Sequence, residues 1–552
     1  MSTPVEESCR DSIPLTALNL STIQDLRKEN PCIEPLPLYN RELSSFEGLI
    51  YHIGVGVFHR SHQAVYTHNV LLDQLAEDSP AERWAIMGVS LHSLKTRSVL
   101  EKQDFLYSVF SRDQDTTKLS VVGSILDIAL SSHANTLEMM ADPRTRIVSL
   151  TITEKAYHID LRSNKLDLSE PTVAHDLNHP NEPAQSAGGF IAQALKLRMQ
   201  RGLLPFTVQS CDNLPGNGMI AKTMVLDFIA VLKDKDFLAW AQANCKFPGS
   251  MVDRITPATK ARNPSQPDQY SDGVRSEICK KASIKDEWPI VAEPFSQWVI
   301  EDNFVNGRPN WEAKGAQFVD DVAPFETMKL RLLNGSHSAL SYVGYLLRHR
   351  FVGNAIDHSI VRSFLKKFMA EQCETVPPVP GVDLDEYQAN LISRFENPYN
   401  NDTLIRLAQD GSHKIVTSMR EAALINSRAG RSVDAFGVVF ASWARFSCGV
   451  DEEGEAIDFE DSQKEEVMMK VKEIFSGIDD GGFVSNVSPS RAAVVSLLAF
   501  VFGDDFASDD RIADTAFESI DKLARSSTRE LIRSYLSGKV DKSENVKAQE
   551  SK

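Results

Sequence analysis

The chain has 552 residues, 42% hydrophobic and 24% charged, an ordinary globular balance with length enough for two domains and a large core. Its 59 basic and 76 acidic side chains leave a net charge of −17. Such a surface repels nucleic acid and anionic membranes, so neither is expected as a partner, although a locally basic pocket can still take an anionic substrate.

No apolar stretch approaches the ~20 residues that span a bilayer. Residues 1–13 carry Glu6, Glu7 and Asp11 without an apolar core, so they read as a loose tail and not as a secretory signal. Seven scattered cysteines without a CxxC pair read as reduced thiols of a cytoplasmic protein. His59 and His62 are three apart but lack companions for a metal set, so no metal is expected.

Taken in chain order, 49–54 reads as a buried strand, 62–75 as a helix, 84–91 as a second strand, 146–153 as a third, 191–201 as a helix and 206–210 as a further strand. This alternation predicts an α/β fold with a mostly parallel, doubly wound sheet over residues 14–293. Gly54 and Gly56 then fall at the first strand-to-helix turn, where a dinucleotide pyrophosphate docks on a helix N-terminus. The turn lacks the third glycine of the usual fingerprint, and by itself a plain tight turn accounts for it better. Phe58 and His59 can supply close packing and backbone N–H groups around phosphates. Arg60 reads alternatively as a solvated residue at the helix start.

The second strand ends in Leu91-His92-Ser93-Leu94-Lys95-Thr96-Arg97, without the acid that would grip a ribose 2′-hydroxyl. Ser93 occupies that turn. Lys95 and Arg97 either welcome a 2′-phosphate or begin a solvated helix. Asp212-Asn213-Leu214-Pro215-Gly216-Asn217-Gly218 follows the strand at 206–210, where α/β sites form, although an Asx-rich turn also accounts for it. Asp253 sits beside Arg254 and can be simply its partner.

The domain junction is expected near Pro289 to Pro294. Beyond it, residues 294–536 predict an almost all-helical domain, with helices at 326–349, 359–374, 385–395, 402–409, 415–427, 433–447, 462–475, 489–502, 509–525 and 528–537. Pro-rich 376–381 reads as a loop, and 537–552 as a disordered tail. The active site is expected in the cleft between the domains.

Within the helical half, Met328 to Leu340 repeats apolar residues at helical spacing, interrupted by Lys329, Asn334 and His337. At about 100° per residue His337 lies about 80° and Asn334 about 140° from Lys329, so one broad face can carry all three. A half-buried lysine can lose its charge by desolvation and act as a general base, and an amide and imidazole beside it can hold an oxygen. Periodicity alone favours the blander account, a buried helix with a satisfied Asn and a snorkelling Lys. Arg406 and Lys414, taken alone, are a solvated basic pair. Glu326 either tunes Lys329 or is a routine ion-pair partner.

Five ordered stretches together carry more: Ile53 to Gln63, Ser210 to Pro215, Val252 to Pro257, Met328 to Leu340, and Arg406 to Lys414 with Asp410-Gly411-Ser412 between. In this set the chain resembles the mannitol dehydrogenase family of polyol-specific long-chain dehydrogenases, over roughly residues 14 to 535. The resemblance implies a Rossmann-like N-terminal domain and a helical C-terminal domain. It implies a metal-independent oxidoreductase that moves a hydride between a nicotinamide coenzyme and a polyol/ketose pair, D-mannitol and D-fructose first. NAD is favoured slightly over NADP.

By the same resemblance Lys329 is the general base, Asn213 and Asn334 bind the reacting oxygen, and His337 orients the substrate. Asp253, Arg406 and Lys414 bind substrate hydroxyls, and Gly54, Gly56, Phe58, His59 and Ser93 the coenzyme. Ser90 and Lys155 stand where the family carries glycines, and the acid after the second strand is missing. The alternatives are a sugar-acid, arabinitol or sugar-phosphate dehydrogenase of the same family and, from another class, a dinucleotide-binding sensor with impaired catalysis. A monomer is expected.

Overall fold

The computed structural model describes residues 16–29, 39–76, 82–114, 116–160, 163–263, 265–266, 268–400, 402–475 and 489–538. The tail expected at 1–13, and the one expected at 537–552 beyond Gly538, lie outside these residues. The chain divides into two compact units, Met1–Ala323 and Pro324–Lys552.

The first unit is built on five parallel strands: β1 (Gly48–Ile53), β2 (Trp84–Ser90), β3 (Ile125–Leu130), β4 (Thr145–Leu150) and β5 (Thr207–Ser210), in the order β5-β4-β1-β2-β3. Side chains alternate between two cores, as a pleated strand requires. Leu49, Tyr51, Ile53, Met87, Val89, Val148 and Leu150 pack with Phe190 and Leu195 of helix Ala187–Gln200 and with Met224 and Phe228 of helix Asn217–Val231. Ile50, Ile86 and Ile147 face the other way, toward Ala64, Tyr66, Val70, Trp298 and Trp311. Burial on both faces is why these strands read as nearly unbroken apolar runs.

Strand β3 escaped the sequence reading. It is an edge strand interrupted by Asp127, whose carboxylate is tolerated because Arg97 pairs with it. The expected junction at 289–294 is also corrected. Gln297–Glu301 pairs antiparallel with Ser250–Asp253 and parallel with Gln317–Val319, so the first unit runs on to Ala323.

Among the described residues every regular element of the second unit is a helix, apart from two isolated β-bridges, Phe351 with Thr403 and Val450 with Ala456. Most helices fall where expected, among them Ser359–Cys373, Leu384–Glu396, Gly411–Arg428, Asp434–Phe446 and Asp510–Arg525. Helix Asp434–Phe446 is buried on every side from Ala435 to Phe446, which explains its almost charge-free sequence. Two expectations change. The helix at 402–409 is the single turn Leu404–Leu407, and the one at 326–349 is composite: α over Ala323–Met328, π over Lys329–Asn334, α again over Gly335–Leu346.

Candidate active site

In the first unit the strand order reverses between β1 and β4, the switch point at which open α/β sheets bind ligands. Gly54 closes β1 with φ 95°, and a Cβ there would lie 2.1 Å from the Thr151 carbonyl oxygen. Only glycine lets the loops after β1 and β4 approach so closely. Gly56 opens helix Val57–Ser61, and a Cβ on it would meet nothing nearer than the Gly54 oxygen at 3.8 Å. The backbone is therefore open to close approach beside a helix start, which fits a dinucleotide pyrophosphate. The helix breaks at His62 (φ −117°, ψ −91°) and resumes as Gln63–Ala76.

Two side chains of this turn point into the core, His59 in keeping with the close packing expected of it and Arg60 against the solvated place considered for it. His59 is buried and stacks on His52, ring centroids 3.4 Å apart. Burial, with His52 beside it, holds its pKa well below the usual range. Its side chain is thus taken up by the core, and its backbone N–H belongs to the first helical turn, whose N–H groups have no partner within the helix. Arg60 is fully buried, not solvated. Its Nε donates to the Gly56 carbonyl (3.3 Å), its guanidinium donates to the Trp288 carbonyl (3.1 Å) and covers the Trp288 ring, and burial lowers its pKa to about 10. Phe58 is partly buried and stacks on His62.

His52 ties the crevice from below. Its Nε2 lies 2.8 Å from the Thr151 hydroxyl and its Nδ1 2.8 Å from that of Ser149, while the Thr151 hydroxyl donates to the Gly54 carbonyl at 2.8 Å. With its one proton committed to Gly54, Thr151 must accept from Nε2–H, and Ser149 then donates to Nδ1. Burial lowers the His52 pKa to about 3, so the ring is neutral.

After β2, Ser93 is exposed in the turn before helix Lys95–Leu100. Arg97 turns away from the solvated or phosphate-binding roles considered for it: it pairs with Asp127, donates to the Ile128 carbonyl (2.6 Å) and pairs with Glu101 (3.0 Å).

After β5, Asn213 is exposed and Asp212 is buried. The Asp212 carboxylate accepts from the Ile152 N–H (2.9 Å), the Thr153 N–H (2.9 Å) and the Tyr157 hydroxyl (2.7 Å). Burial raises its pKa, an effect these three donors oppose. Asn217 pins the turn to the next strand, donating to the carbonyls of Asp212 (2.9 Å) and Ser250 (2.7 Å). Asp253, at the end of that strand, is buried, and its neighbour Arg254 donates to the carbonyls of Glu293 and Ser61. Lys155, where the family carries glycine, is exposed in a single 3-10 turn, Glu154–Tyr157. The positive φ angles fall on its flanks, at Thr153 and His158.

In the second unit Lys329 is 7% exposed, and Asn334 and His337 are partly buried. The His337 ring lies 5.2 Å from that of Phe395. Lys329 to Asn334 form the π turn, closed by the Gly335 N–H donating to the Leu330 carbonyl five residues back. An i→i+5 turn brings residues five apart toward one face. The 140° separation of Lys329 and Asn334 assumed for a regular α-helix is therefore too large. The Lys-to-Asn spacing of five was itself the signal, since neither three nor four matches it.

Arg406 is held in a fork by Asp402, with Nε 2.5 Å from Oδ1 and the second nitrogen on Oδ2. Asp402 is 8% exposed. Burial alone would lower the Arg406 pKa, but these bonds outweigh it. Lys414 donates to the Leu407 carbonyl (3.2 Å), and burial, aided by Arg406, lowers its pKa. The sequence reading missed Asp402, Asp212 and His52. Asp212 was visible only as part of a turn, and His52 only as an oddity in an apolar strand.

A family model of the mannitol dehydrogenase Rossmann domain matches residues 49–313, and one of the mannitol dehydrogenase C-terminal domain matches residues 321–488. The chain is 38% identical to a D-mannonate oxidoreductase of Escherichia coli over 89% of this chain and 96% of that protein. It is 34% identical to a mannitol 2-dehydrogenase of Pyrenophora tritici-repentis over 95% and 86%. Among solved structures it resembles Pseudomonas fluorescens mannitol 2-dehydrogenase, a ternary complex with NAD and D-mannitol. The TM-score is 0.78 and the identity 34%, covering 95% of this chain and 100% of the other. A substrate-free D-sorbitol dehydrogenase aligns with TM-score 0.76 at 27% identity, covering 94% and 100%. The chain belongs to the mannitol dehydrogenase family of oxidoreductases.

Proposed function

We propose that this protein oxidises a polyol to a ketose and runs the reverse reduction, with D-mannitol and D-fructose as the pair and NAD as the coenzyme. The observation that carries this is Lys329, buried in a π turn that draws Asn334 toward the same face, in a chain of this family. Neutral Lys329 removes the hydroxyl proton of the polyol. Asn213 and Asn334 donate to the oxygen as its negative charge grows, and donors of this kind lower the barrier by stabilising that charge in the transition state. His337 orients the substrate, and Asp253, Arg406 and Lys414 hold its other hydroxyls. In reduction, protonated Lys329 returns the proton. The nicotinamide coenzyme, when bound, takes up or gives the hydride. Gly54, Gly56 and the first-turn N–H groups of Phe58 and His59 hold its pyrophosphate, and Ser93 lies toward the ribose.

A sugar acid is the second reading, favoured by the 38% identity to a D-mannonate oxidoreductase. Against it stands the Asp402 fork, which compensates the charge of Arg406 and suits a neutral hydroxyl better than a carboxylate. The engagement of Arg97 by Asp127 and Glu101 supports NAD over NADP. The test is a reduction panel of fructose, fructuronate, xylulose and fructose 6-phosphate, each with NADH and NADPH. Fructose with NADH should give the highest kcat/KM. A higher value with fructuronate would replace mannitol by mannonate, and no turnover with any pair would overturn the enzyme reading.

A further inference from the structure

Asp212 takes no part in the reaction above, yet three donors converge on its buried carboxylate. Two are the consecutive N–H groups of Ile152 and Thr153, and the third is the Tyr157 hydroxyl, which also lies 2.6 Å from the Ser210 hydroxyl. All three belong to one short segment, the loop that leaves β4. That loop stands at the β1–β4 switch point and touches the Gly54 turn.

Thr153 in this segment has φ 70° and ψ 158°. A β-branched residue keeps such a backbone only when its surroundings impose it. The constraint is visible on both sides. Thr151 is tied to Gly54 through the His52 network, and Thr153 is tied to Asp212. Thr153 and Glu154 are exposed beyond these ties.

We propose that Asp212 is a positioning residue for the nicotinamide coenzyme. It holds Thr153 in its strained conformation, and so keeps the peptide between Ile152 and Thr153 in the orientation that shapes the coenzyme side of the β1–β4 crevice. The Asp212 main chain is held separately, its carbonyl accepting from Asn217 (2.9 Å) and from the Leu214 N–H (2.9 Å). The assignment rests on the dinucleotide reading of the first unit.

The experiment is a titration of NADH by quenching of protein fluorescence, with kcat and Tm measured alongside, on the wild type, Asp212→Asn and the double variant Asp212→Asn/Thr153→Gly. Asn puts an NH2 group where a carboxylate oxygen now accepts an N–H. The Kd for NADH should rise about tenfold or more, and kcat should fall about 100-fold, as for a misplaced reacting partner. Glycine adopts φ 70° without strain, so the double variant should recover most of the lost affinity. Should Asp212→Asn not fold, Tyr157→Phe, which removes one donor, should weaken NADH binding about threefold or more.

A merely structural role would lower Tm while leaving the Kd of the folded protein unchanged, and Thr153→Gly would rescue nothing. Either result overturns the assignment, as does an unchanged Kd in Tyr157→Phe. A wild type that binds neither NADH nor NADPH would instead overturn the dinucleotide reading itself.

Discussion

Lowering the pH from 7 to 5 is expected to destabilise the first unit steeply, because three of its histidines are buried in the neutral form. Burial lowers the pKa of His52 and His68 to about 3 and holds that of His59 well below the ordinary value. In the unfolded chain each titrates near 6.5. Between about 6.5 and about 3 the unfolded state therefore binds more protons, and stability rises with pH and falls with acid.

A histidine that stays neutral in the folded state forfeits RT ln(1 + 10^(6.5−pH)). This is roughly 0.2 kcal/mol at pH 7 and roughly 2 kcal/mol at pH 5, and it does not depend on how far below 6.5 the folded value lies. Three such groups together cost about 6 kcal/mol by pH 5, comparable with the whole stability of many domains. Asp212 and Asp286, whose pKa values burial raises, act in the opposite sense, since they take up protons more readily folded than unfolded.

Urea unfolding at pH 7, 6 and 5, followed by tryptophan fluorescence, measures the loss. The signal reports mainly on this unit, which contains Trp84, Trp240, Trp288, Trp298 and Trp311, against Trp443 alone in the other. His52→Gln should remove about a third of the pH dependence whatever it does to absolute stability. A stability flat between pH 7 and 5, or a His52→Gln slope equal to that of the wild type, would refute the reasoning.

Lys329→Ala should cut turnover by roughly 10²–10⁴-fold with little change in coenzyme affinity, and a variant within about tenfold of wild type would remove Lys329 from the role of base. Gly54→Ala should abolish coenzyme binding and destabilise the fold, because its Cβ would stand 2.1 Å from the Thr151 oxygen at a φ of 95°; a near-normal Kd by NADH titration would show that the crevice relaxes. Ser93→Asp should shift preference further toward NAD, by offering a ribose acceptor and repelling a 2′-phosphate. An unchanged NAD-to-NADP ratio of kcat/KM would place Ser93 away from the ribose. Asp402→Asn should release the charge of Arg406 and raise kcat/KM for fructuronate relative to fructose, and a ratio that does not move would separate Arg406 from the choice of substrate.

Much of the architecture was legible because it rests on local periodicity. Strands such as Leu49 to Ile53 are apolar on both faces, and helices such as Asp510–Arg525 carry their own amphipathic pattern and N-terminal cap, so type and position follow from short windows of residues. The ordered motifs from Gly54 to Lys414 pointed to the family for a similar reason, since glycines, amides and the lysine recur at set spacings. What the sequence could not decide depends on partners distant along the chain. Arg60 and Arg97 looked solvated or phosphate-binding until Trp288 and Asp127 were seen to occupy them. His59 became a core residue only once it was seen stacked on His52. The domain junction moved because Gln297–Glu301 pairs with a strand nearly fifty residues earlier in the chain, which no window around 289–294 contains. Asp212 gained its three donors from a loop some sixty residues upstream. A charged or polar side chain must be satisfied once it is buried, but sequence does not say by which neighbour, and only tertiary structure decides that.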